Sequence, residues 1–213
     1  KYIELPKYII EKYKKCFIPN AHYTDICRLM LLAKYGGCWV DSTVYLTGEI
    51  PHEILNAEFF TFRSLDSNLL KNISSAYEFK MYNNYFNRQL AFESSYFISA
   101  RAGNKIINSV LNLLLEYWKY ENEPVDYLFL DQCFTLALLN NEELKKQFLN
   151  MPEYYIDNIM LLQNALFEHF DKKLYSNICN QSMIHKLTHK NLHRNPYKDS
   201  FLTYILNHTD LVL

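Results

Sequence analysis

The side chains best suited to chemistry fall in one run, Ala21 to Thr47, and at a few later positions. Between Thr24 and Ala33 the only charges are Asp25 and Arg28, three apart and so on one face of an otherwise apolar helix. That pair is either a solvated edge with a weak ion pair or the polar lining of a ligand site. Asp41 follows Cys38-Trp39-Val40, which reads as a brief buried strand. Its carboxylate therefore emerges at a strand's C-terminal end, where open α/β sheets bind ligands. Asp126 and Asp131 flank four apolar residues ahead of a helix, and either carboxylate suits that helix's positive end. His185, His189 and His193 recur every four residues, with Lys186, Lys190 and Arg194 beside them. On a helix the three histidines would form a zinc-binding stripe, but Thr188, Asn191 and Asn195 make poor helix interior and no carboxylate joins them.

These residues need elements to hold them. Leu5 to Lys15 reads as a short helix, with Ile9, Ile10 and Tyr13 on one stripe, and Phe17 to Ala21 as a connector. Thr24 is placed to cap a buried helix running to about Tyr35, which Gly36-Gly37 ends. Glu58–Arg63, Tyr77–Met81 and Ser95–Ser99 are β-prone runs between Asn- and Ser-rich turns. Asn104 precedes a long helix to about Tyr120, whose stripe of Ile, Val and Leu takes Trp118 into the core. Further helices are expected from about Asp131, over Glu142–Leu149 and over Ile159–Phe170, before a polar, basic stretch from Ser182 to Lys198. Strands mixed with helices and no linker predict one α/β domain over residues 1–213.

Composition narrows the function. With only 4 glycines, a Gly-rich phosphate cradle is nearly excluded by counting. A net charge of −1 supplies no field to draw the chain onto nucleic acid. Five widely spaced cysteines without a CxxC argue against a disulfide framework, and Cys27 lies inside the apolar helix, a poor place for a nucleophile. Every apolar stretch is interrupted well short of the ~20 residues a bilayer span needs. The chain is therefore read as cytoplasmic, at most peripheral to the inner face of the membrane.

The run TDICRLMLLAKYGGCWVDSTV resembles the signature of the capsular polysaccharide synthesis glycosyltransferases and of related sugar transferases with mannosyltransferase-like and toxin glucosyltransferase-like folds. Their pattern is roughly S/T-D-x-x-R-x-x-x-L-x-x-Y-G-G-x-W/Y-x-D-x-D/T. Weaker similarity continues through SYFISARAGNK, EYWK, VDYLFLD and IHKLTHK. The resemblance implies a GT-A fold, a mixed central sheet with flanking helices. It also implies a nucleotide-sugar donor and a glycan acceptor. By the same pattern Asp25 and Arg28 hold hydroxyls of the donor sugar, Trp39 borders the donor, and Asp41 is the first acid of a DXD-type element. Asp131 is then the acid facing the acceptor, His185 an added metal ligand, and Lys186 a cation for the leaving diphosphate. A divalent ion, Mn²⁺ or Mg²⁺, is expected at Asp41 and His185. Thr43 stands in the substrate site where such elements often carry their second acid, which weakens a site for hard cations. In the resembling families a nucleotide-binding portion precedes the helix at Pro6 to Lys15, so the first strands of the fold are expected to be missing from this chain. Thr43 and those strands motivate a rival reading, a degenerate glycan- or protein-binding module with the same fold.

Overall fold

The computed structural model describes residues 2–63, 93–188, 190, 192–194 and 197–208. It is a mixed α/β structure whose described residues form two compact units. The first comprises Lys1–Trp39 and His52–Tyr154, the second Val40–Pro51 and Tyr155–Leu213.

In the first unit, α1 (Lys7–Lys14) and α2 (Asn20–Tyr35) lead into β1 (Gly37–Val40). The helix α2 begins five residues earlier than a cap at Thr24 marks. Pro19 takes the N-cap position with φ −61°, and the Thr24 hydroxyl donates to the Asn20 carbonyl from inside the helix. Proline's fixed φ and missing N–H cost nothing at a helix start, so it sets the boundary ahead of a favoured capping residue.

The stop falls at Gly36-Gly37. Gly36 has φ 65° and ψ −154°, a region only glycine occupies comfortably, and its N–H bonds to the Leu32 carbonyl. A Cβ there would lie 2.5 Å from the Ala102 nitrogen and 2.9 Å from the Ala100 carbonyl oxygen. Gly36 thus lets the end of α2 sit directly against the backbone that follows the third strand of this sheet.

After α3 (His52–Asn56), β3 (Phe59–Arg63) and β4 (Glu93–Ala100) pair antiparallel, Phe59 opposite Ala100, and the sheet order is β1-β4-β3. All five residues of β3 are buried, whereas β1 is only half-buried, with Gly37 and Val40 exposed. The exposure of Gly37 and Val40 corrects the expectation of a buried strand before Asp41. The expected strand at Tyr77–Met81 lies outside the described residues.

Helix α4 (Lys105–Tyr120) forms as the sequence predicts. The Asn104 side chain accepts the N–H groups of Ile106 and Ile107, and Ile106, Ile107, Val110, Leu111, Leu114 and Trp118 are buried. Helices α5 (Phe129–Leu139) and α6 (Glu142–Leu149) complete this core. Arg63, 1% exposed, ends β3 by donating to the carbonyls of Phe148, Leu149 and Met151 at the C-terminus of α6. The last carbonyls of a helix lack intrahelical partners and carry partial negative charge, so they solvate a buried cation.

In the second unit, β2 (Val44–Leu46) pairs antiparallel with β5 (Ile184–Lys186), Val44 opposite Lys186 and Tyr45 opposite His185. Helices α7 (Ile156–Asn164), α8 (Lys172–Gln181) and α9 (Phe201–His208) bury Leu162, Leu166, Ile178, Phe201, Leu202 and Ile205. The stretch predicted as one helix over Ile159–Phe170 ends at Asn164, and α8 starts anew with Asp171 accepting the Leu174 N–H. No helix histidine stripe forms late in the chain. His185 is on a strand, His193 is in a 3₁₀ turn (Leu192–Arg194), and His189 lies outside the described residues. All five cysteines are free thiols, and among the described residues no helix is long and apolar enough to cross a membrane.

Candidate functional site

The residues singled out in the sequence gather into two groups, one in each unit. In the first, the three-residue spacing of His22, Asp25 and Arg28 puts all three on one face of α2, and that face is buried. Arg28 Nη2 lies 3.2 Å from Asp25 Oδ1, and Nη1 donates to the Ser95 carbonyl of β4 at 2.5 Å. The guanidinium also sits 5.1 Å above the Trp39 ring, so its planar cation meets an aromatic face. His22 Nδ1 is 3.7 Å from Asp25 Oδ2, and burial lowers the imidazole pKa, with the Asp126 charge partly opposing it.

The solvated-edge reading of Asp25 and Arg28 is thereby overturned. Arg28 is 6% exposed and Asp25 8%, because α2 is covered by β4, α4 and α5. Asp131, in the first turn of α5, is 8% exposed as well. The buried Cys133 thiol is pushed up to about 12 by desolvation first and then by the charges of Asp25 and Asp131. Both carboxylates are therefore near enough to act on Cys133 of α5. His22 is the member that residue spacing alone passed over, although it stands three positions before Asp25.

The second group grows from Asp41. Residues Asp41 to Val44 form a turn closed by the Val44 N–H on the Asp41 carbonyl, 2.9 Å, which carries the chain into β2. The register of β2 with β5 then sets Lys186 opposite Val44, and the Leu187 N–H bonds to the Thr43 carbonyl at 2.8 Å. As a result the Lys186 ammonium lies 3.8 Å from Asp41 Oδ2 and donates to the Thr43 hydroxyl. The side chains of Lys186 and Asp41 are 21% and 28% exposed, so this ion pair remains within reach of solvent.

His185 does not join them. Successive residues of a strand face opposite sides, so His185 points away from the Lys186 side. Its Nε2 lies 3.0 Å from Thr47 Oγ1, its ring is 6.3 Å from that of Tyr45, and it is 0% exposed. Burial pushes its pKa down to about 4, so the ring is neutral near pH 7.

The expected divalent ion does not fit this donor set. Mg²⁺ and Mn²⁺ require oxygen ligands and at least one carboxylate at close range. Here the carboxylate of Asp41 already faces an ammonium, the Thr43 hydroxyl accepts from that same ammonium, and His185 is on the other face of β5. Among the described residues no group of three or more His, Cys, Asp or Glu could hold a metal ion.

The run from Thr24 to Thr43 supplies most of both groups; Asp131 of α5 belongs with the first and Lys186 of β5 with the second. No curated protein and no solved structure matches the chain. A match does cover both groups and the elements that hold them: residues 1–205 match the family described as capsular polysaccharide synthesis protein, and the chain belongs to that family.

Proposed function

We propose that this chain is a glycosyltransferase of capsular polysaccharide synthesis, with a GT-A fold, moving a sugar from a nucleoside-diphosphate donor to a hydroxyl of a glycan acceptor. The observation that carries the reading is the half-exposed Asp41–Thr43–Lys186 constellation, in which a strand-end carboxylate and a cation are held together by the β2–β5 register. Departure of a nucleoside diphosphate develops negative charge, and a fixed cation stabilises it most where the site is already organised.

In this reading Asp25 and Arg28 hold donor hydroxyls, Trp39 borders the donor, and Asp41, Thr43 and Lys186 take the diphosphate side. The acceptor oxygen bonds to the anomeric carbon, and the bond from that carbon to the diphosphate breaks. The electron pair leaves with the nucleoside diphosphate, and the hydroxyl proton passes to Asp131 as general base. Peripheral association with the inner face of a membrane is part of the same proposal.

The test is a panel of UDP-, GDP- and dTDP-sugars, read by donor hydrolysis and by thermal shift. Turnover of one donor class supports the reading, and no response to any of them sinks it. Glycan binding without turnover of any donor would favour the non-catalytic module instead.

A further inference from the structure

We infer that Lys186 takes the place of a divalent ion at this site, so that the chain neutralises its donor diphosphate without metal. The inference rests on the nucleotide-sugar reading above and deepens it. Three observations carry it. The Lys186 ammonium is in ion-pair range of Asp41 and bonded to the Thr43 hydroxyl, so the first and third side chains of the Asp41-Ser42-Thr43 turn face one cation that belongs to the protein. The backbone fixes this arrangement, because β2 and β5 are registered Val44 to Lys186 and Thr43 is itself bonded to Leu187. The neighbouring imidazole of His185, the further metal ligand that the resemblance implied, is on the opposite face and held by Thr47.

The charges are self-consistent. Two carboxylates with a dication sum to zero, and so do one carboxylate with one ammonium. Thr43 is then the residue that matches Lys186, because a hydroxyl accepts from the ammonium without adding a second negative charge. When the bond between the anomeric carbon and the diphosphate oxygen breaks, the electron pair stays on that oxygen, and Lys186 meets the charge directly. Asp41 acts as a positioning residue, holding the ammonium in place.

The experiment measures turnover of the donor found in the panel, with EDTA and with added Mn²⁺ or Mg²⁺, alongside a titration of Mn²⁺ alone followed by electron paramagnetic resonance. The expected result is a rate indifferent to EDTA and to added metal, and no saturable Mn²⁺ binding. Lys186→Met should lower turnover by about 10²-fold, the scale of losing one organised charge donor, with Lys186→Arg restoring part of it. In the double variant Thr43→Asp with Lys186→Met, Mn²⁺ binding should appear and turnover should become sensitive to EDTA. Loss of wild-type turnover in EDTA with recovery in Mn²⁺ would overturn the inference, as would saturable Mn²⁺ binding abolished by Asp41→Asn. If no donor is turned over with or without metal, the glycosyl-transfer reading falls, while the Mn²⁺ titration still decides whether Asp41 holds a metal.

Discussion

Asp25 with Arg28, and Asp41 with Lys186, are both carboxylate–cation contacts, and burial separates them. The side chains of Asp25 and Arg28 are 11% and 8% exposed, and their partners are α2, β4 and the Trp39 ring. Those of Asp41 and Lys186 are 28% and 21% exposed and are held mainly by a turn and a short strand pair. Charges removed from water must be fully partnered, so the first pair is tied into the fold and its loss is felt as unfolding. A half-solvated pair contributes little to stability and can exchange its partner for a ligand. The same residue types thus serve as a rigid wall in one unit and as a solvent-accessible contact in the other.

The largest effect that tests this contrast is expected from Arg28→Ala, which leaves Asp25 buried without its cation. Breaking such a pair costs about 3–5 kcal/mol, to be read from urea denaturation. An equal loss in Lys186→Ala would break the comparison. Next, Gly36→Ala should cost about 1–3 kcal/mol from its backbone conformation alone, and more from the contact with Ala102. Gly37→Ala, where an added Cβ meets nothing within 4 Å, should cost less in the same melts.

A third prediction concerns pH. The His185 pKa is lowered from 6.5 to about 4, so on acidification the unfolded chain takes up this proton first. Its contribution to stability is complete above about pH 6.5, falls as pH drops toward about 4, and levels off below. The loss should reach about 2 kcal/mol near pH 5 relative to neutral pH. In His185→Gln that part of the pH dependence should vanish from thermal melts, and a curve unchanged from wild type would contradict the burial of this ring. The smallest stability effect is expected from Asp41→Asn, below about 1 kcal/mol because the pair is half-solvated. Donor turnover should nevertheless fall sharply in that variant, and retained turnover would remove Asp41 from the proposed mechanism.

Several elements are legible in the sequence alone. Asn104 ahead of an apolar stripe defined α4, Gly36-Gly37 ended α2, and Glu142–Leu149 was read with its true limits. Each rests on local chemistry, either a cap, a glycine conformation or a 3.6-residue period. The elements missed are β2, α3, β5, α8 and α9, three of them five residues or fewer, too short to display a period. Thr24 misled because capping preference is weaker than the fixed φ of Pro19. For the site, the run from Asp25 to Thr43 is visible as a pattern, while a cap placed at Thr24 leaves His22 outside the helix and hides its alignment with Asp25.

By itself, the sequence determined which residues carry charge at which local spacing, where α2 stops, and that Asp41 leaves a strand two residues after Trp39. Family membership is legible from the same residues. Only the tertiary structure decided that Asp25 and Arg28 are buried, because covering a helix face requires β4, α4 and α5, which arrive from distant parts of the chain. It also decided that Lys186 meets Asp41 while His185 does not. In the sequence the two are neighbours with one shared expectation, but a strand sends consecutive side chains to opposite faces, and the β2–β5 register selects which of them faces the carboxylate.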